Sequence, residues 1–177
     1  MLLENELRAV NAIRGERSVM PVSQTLSTVP RVAALILTGL VAGSVFAVLR
    51  GYDLAQYSPA AFLEVHQGAV RGLNALLPIL GIVSIGLVVA LAVIERRNRR
   101  TLILLVLAAL LLATSGIVTR LGNQPINDLV MSWTVDTFPA DWEAIRDSWR
   151  GFHLVRVITS IAAFAILSAA LVTTPRH

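Results

Sequence analysis

The sequence predicts an all-α protein: a four-helix transmembrane bundle with an extended fourth helix and a polar extracytoplasmic cap. Three observations predict it. The chain of 177 residues is 55% hydrophobic with a mean hydropathy of +0.71, too evenly apolar for a soluble domain of this length. Four of its runs, Val32 to Leu49, about Leu73 to Ile94, Thr101 to Val118 and Leu154 to Val172, are each long enough to cross a hydrocarbon core of about 30 Å, which takes roughly 20 helical residues. Polar side chains that could carry chemistry gather at one end of the predicted bundle, opposite an arginine-rich turn.

Composition removes several classes. All fifteen basic residues are arginine, a bias that fits a GC-rich bacterial genome and not nucleic-acid binding. With no cysteine there is no disulfide, no thiolate nucleophile and no Cys-ligated metal or iron-sulfur cluster. The domain reading is a cytoplasmic N-terminal tail over 1–29 and a bundle over 30–177. The tail carries Arg8, Arg14 and Arg17, and its Leu3, Leu7 and Val10 share a helix face suited to a membrane surface, with an unstructured tail as the alternative. Met20 is an alternative start. A cleaved signal peptide is disfavoured, because the next apolar run is too long and lacks a small-residue cleavage site.

In the first span Gly39 and Gly43 form a small-xxx-small pair, and in the second Gly81, Ser84 and Gly86 would let a neighbour approach closely. Pro78 is expected to kink the second span. The turn that follows, Glu95-Arg96-Arg97-Asn98-Arg99-Arg100, carries four arginines, whereas Leu121 to Ser148 holds five acids against one arginine, Arg146. The positive-inside rule then puts this turn and both termini in the cytoplasm of a multi-pass inner-membrane protein. The segment around His66 and the 120–150 segment face outward, the latter opening with the polar loop RLGNQPIND. A helix starts near Pro139, with Asp141 and Glu143 suited to its N-terminal dipole. It runs about 50 Å and projects beyond the membrane.

That helix carries the densest chemistry. Trp142, Arg146, Trp149, His153 and Arg156 follow one another at four, three, four and three residues, which keeps them within roughly 80° on one face. Glu64, Gln67, Arg71 and Asn74 make a second stripe beside His66, and Thr119, Arg120, Asn123 and Asn127 close the third span. Charge inside the membrane edge costs a few kcal/mol unless paired or wetted, so Arg71 and Arg156 are expected to point inward, Arg156 towards Glu64 or Asn127. Plainer readings stand beside this one: interfacial belt tryptophans, snorkelling arginines, structural histidines and turn asparagines.

The run GNQPIND, then DW, then RDSWRGFHLVRV resembles the anthrone oxygenase-like family of small four-helix membrane proteins. Its members show an N-x-P-x-N element after the third span and a W-x-x-x-R-x-x-W-x-x-x-H-x-x-R stripe entering the fourth. HQGAVRGLN, before the second span, is similar in placement, and the likeness covers about residues 31 to 173. It implies a four-helix bundle and, for members with an assigned role, oxidation of a polycyclic anthrone by O₂ to a quinone without a conventional cofactor.

Two classes of function follow. In the first, a membrane-embedded oxygenase or oxidoreductase acts on a hydrophobic phenolic or quinone-like molecule. His153 or His66 would be the base, Arg156 or Arg146 the oxyanion partner, Trp142 and Trp149 the walls, and Asn123 and Asn127 the orienting amides, with Gln67, Arg71 and Asn74 completing the binding surface. A variant has His66 and His153 hold haem or copper; the cofactor is left open. In the second class the cap of a non-catalytic accessory protein binds a lipid, a ligand or a partner subunit.

Overall fold

The computed structural model describes residues 22–51 and 56–173, with side chains from Thr28 onward; the expected amphipathic tail helix lies outside them. Helix α1 is Val22–Gly51, α2 Pro59–Leu73, α3 Leu76–Ile94, α4 Arg99–Val118, α5 Gln124–Met131 and α6 Trp142–Thr173, and a π-helical turn, Thr119–Asn123, joins α4 to α5. Among the described residues four helices are long and apolar enough to cross a membrane. Only 22–33% of the most apolar window of each is buried, so most of their Leu, Ile and Val surface suits lipid better than water.

The bundle is the compact unit Arg31–His177, and its spans alternate in direction. At one end the guanidinium of Arg31 pairs with the carboxylate of Glu95, across from the start of α1 to the end of α3. At the other, Val45 of α1, Leu77 of α3 and Val157 of α6 pack together. Between them a dry core of Ala34, Leu91, Leu105, Ala108, Ala163 and Leu167 fills the centre. Ser115 and Ser160 are hydroxyl to hydroxyl at 3.0 Å across the α4–α6 seam, so neither buried hydroxyl is left unsatisfied.

Local sequence explains the boundaries, including where they depart from expectation. Ser58 caps α2 by accepting from the Ala61 N–H at 3.3 Å with Pro59 behind it, so the residues around His66 are helical. The chain then breaks at Asn74 and Ala75. Pro78 falls in the first turn of α3, where a missing N–H costs nothing, and it kinks no span interior. RLGNQPIND is helix and not loop. Pro125 has no N–H to return to the preceding turn, and the chain widens there into the π turn before α5 begins. The last helix starts at Trp142, three residues after Pro139. Of the small residues, Gly39 does make a close approach, since a Cβ there would lie 3.2 Å from the Phe164 ring. Gly43, Gly81 and Gly86 face open space, so of the three small residues expected to admit a neighbour to the second span only Ser84, which is fully buried, does so.

Candidate functional site

Where α2, α5 and the start of α6 meet, an aromatic layer of Phe62, Trp133, Phe138, Trp142 and Trp149 is assembled. Trp149 is buried, and both histidines pack on it. The His66 ring stands edge-on with centroids 4.9 Å apart, and the His153 ring is stacked at 4.7 Å and 10°. The helical spacing that predicts one stripe thus brings residues 149 and 153 face to face, and α2 supplies the second imidazole from the other side of the chain.

Asn127 organises the polar atoms. Its Oδ1 accepts from Trp149 Nε1–H at 2.7 Å, and because indole nitrogen only donates, the amide orientation is settled. The same oxygen lies 3.3 Å from His66 Nε2, so that nitrogen carries the proton. Asn127 Nδ2 donates in turn to Asn74 Oδ1 at 3.4 Å. His153 Nε2 lies 3.0 Å from the carbonyl oxygen of Val45, which can only accept, so Nε2 is protonated here too. In the neutral form each imidazole then keeps its lone pair on Nδ1, and that of His153 is buried without a partner among the described residues. Burial pushes His66 down to about 4, against the opposing pull of its bond to Asn127. It is an uncharged base at neutral pH.

His66, His153, Asn74, Asn127, Trp149 and Arg156 line one cavity with Val45, Leu73 and Thr119. Arg156 is 9% exposed, and its Nε has no hydrogen-bond partner among the described residues. Glu64, expected to pair with it, is exposed on α2, and Asn127 is engaged elsewhere. Arg71 is exposed and does not point into the bundle.

Other expected site residues serve as frame. Asn123 is fully buried and donates from Nδ2 to the Trp149 carbonyl at 3.0 Å, holding the helix that carries the indole. Gln67 Nε2 donates to the carbonyls of Val130 and Trp133 at 3.0 and 3.1 Å, tying α2 to the end of α5. Arg146 donates from Nε to Asp147 Oδ1 at 2.9 Å and lies 5.0 Å over the half-buried Trp142 ring. It borders a different groove, with Arg50 and Arg150. Sequence reasoning missed Trp133 and Phe62, whose burial follows from an aromatic layer no single-helix period reveals, and the Val45 carbonyl, which no side-chain pattern encodes.

Each Nε2 is committed to a protein acceptor and both rings pack on one indole, so a haem or copper ion would have to be met through the two Nδ1 atoms; among the described residues no group of three or more His, Cys, Asp or Glu gathers.

Residues 67–166, more than half of the sequence, match the anthrone oxygenase family. The chain belongs to the anthrone oxygenase family. No curated protein and no solved structure matches it. The family segment contains Asn74, Asn127, Trp149, His153 and Arg156, and begins one residue after His66. An oxygenase-like membrane protein is what this membership supports.

Proposed function

We propose that this protein is an O₂-dependent oxygenase acting on a hydrophobic phenolic or anthrone-like molecule whose acidic edge enters the cavity between α1, α2, α3 and α6. The observation that carries the reading is Arg156: a buried guanidinium whose Nε has no hydrogen-bond partner, and which makes no ion pair, among the described residues, lining the same cavity as two imidazoles. An isolated buried cation favours a ligand that becomes an anion there. A lone pair on His153 Nδ1 or His66 Nδ1 takes the acidic proton of the ring carbon or phenol, and Arg156 stabilises the oxyanion that forms. The resulting carbanion-enolate is electron-rich enough to react with O₂. One oxygen atom becomes the new quinone carbonyl and the other leaves as water with the two hydrogens removed from carbon. Trp149 walls the cavity, and Asn127 holds the indole and His66 in place.

The test is oxidation of 1,8-dihydroxy-9-anthrone in proteoliposomes, followed as quinone absorbance above the spontaneous rate. Wild-type protein is expected to accelerate it, and Arg156→Met to lower the rate by about 10²-fold, as for loss of an oxyanion donor. The same variant should keep or gain thermal stability, because replacing an unpaired buried charge by an apolar chain of similar length removes a desolvation cost. A wild-type rate no faster than protein-free vesicles would sink the reading.

A further inference from the structure

The cavity between the histidines has a volume of about 50 Å³. A water needs roughly 10–15 Å³ of such space, so this cavity takes O₂, a few waters or the edge of one ring, and no fused ring system. Beside it lies a cleft of about 490 Å³, within the range that holds a drug-sized ligand. Asn74, Leu77, Pro78, Thr119 and Arg156 line both, so the two join at the guanidinium.

The cleft runs between α3 and α4. Gly81, Ile82 and Ile85 form one wall, Leu112 and Gly116 the other. Ile82 is 70% exposed, on a surface whose apolar character suits lipid. A Cβ at Gly81 or Gly116 would meet nothing within 4 Å, so the helices do not use these glycines to pack on each other; what they provide is width. The charged and amide groups Arg156, Arg120, Gln124 and Asn74 sit at the cap end, and Ser115 beside Gly116 has its hydroxyl engaged by Ser160. Such a space matches a molecule with a flat apolar body and one acidic end.

We propose that the substrate enters sideways from the hydrocarbon layer between α3 and α4. It lodges its fused rings between Gly81 and Gly116, and only its acidic edge reaches Arg156 and the histidines. This rests on the reading of the site as one for an acidic aromatic molecule and adds the route, the ring-binding surface and the residues that set ligand width. A substrate soluble only in the bilayer then needs no passage through water.

The experiment measures binding of 1,8-dihydroxyanthraquinone to protein in nanodiscs by quenching of tryptophan emission. Leucine favours helix over glycine, so Gly116→Leu and Gly81→Leu should fold, and both are expected to weaken binding at least about tenfold. Gly86→Leu, on α3 but outside the cleft and equally open, should bind like wild type. Because the chain has no cysteine, Gly116→Cys provides the same block within one folded sample: binding should be near wild type before N-ethylmaleimide and lost after it. Binding that survives Gly116→Leu or the alkylation overturns the cleft and leaves the oxygenase reading standing. Failure of wild type to bind the probe overturns both.

Discussion

Asn127 shows how one amide fixes the chemistry of its neighbours. Its oxygen serves the Trp149 indole and the His66 imidazole together, and this sets which His66 nitrogen keeps a lone pair. The same burial gives a measurable pH dependence. The His66 imidazole titrates at about 4 when folded against an ordinary 6.5, so as pH falls below 6.5 the unfolded chain takes up the proton first and the folded state loses stability. The loss accumulates down to about pH 4 and amounts to roughly 3 kcal/mol for this group alone; above pH 6.5 it is absent. Thermal unfolding in detergent between pH 4 and 7 should show His66→Gln with a flatter acid limb than wild type. Parallel limbs for the two proteins would mean that the imidazole is not held neutral by burial.

The elements that carry the site were legible in proportion to how local their signals are. The α6 stripe follows from a period of 3.6, and four of its five members, Arg146, Trp149, His153 and Arg156, are buried, though the period could not say that Arg146 turns to its own neighbour Asp147. The spacing of Asn123 and Asn127, four residues apart, is also a helical signature, yet the intervening proline and the glycine before them read as loop. What resolved the segment is long-range. A Cβ on Gly122 would lie 2.5 Å from Cγ of Phe152, so the absent side chain lets the π turn seat against α6, a contact no local pattern announces. Gly122→Ala should therefore cost about 1–3 kcal/mol through overpacking despite alanine's higher helix propensity. Gly68→Ala, in a helix and facing open space, should be neutral or slightly stabilising. Equal melting temperatures for the two variants would show that the Phe152 ring moves aside at no cost.

At the scale of the whole molecule arginines occur at both ends of the bundle, whereas the acids of the described residues lie at the cap end, Glu95 excepted. Arg96, Arg97, Arg99 and Arg100 crowd the turn between α3 and α4, beside the Arg31–Glu95 pair. Asp128, Asp136, Asp141, Glu143 and Asp147 lie on the opposite side with α5 and the start of α6. Arginine in short loops is retained on the cytoplasmic face while acids have little influence, so the turn is expected inside and the cap, with its cavity, outside. The absence of cysteine makes this directly measurable. Asn98 is a poor probe position because its side chain caps α4 by accepting from the Thr101 N–H at 3.2 Å; Arg97 is exposed and leaves three arginines in the turn. Single variants Arg97→Cys and Asp136→Cys, treated in intact spheroplasts of a bacterial host with a membrane-impermeant maleimide, should label at position 136 and not at 97 until the membrane is opened. The reverse pattern would put the cavity on the cytoplasmic side, and the acidic aromatic substrate would then have to come from the inner leaflet.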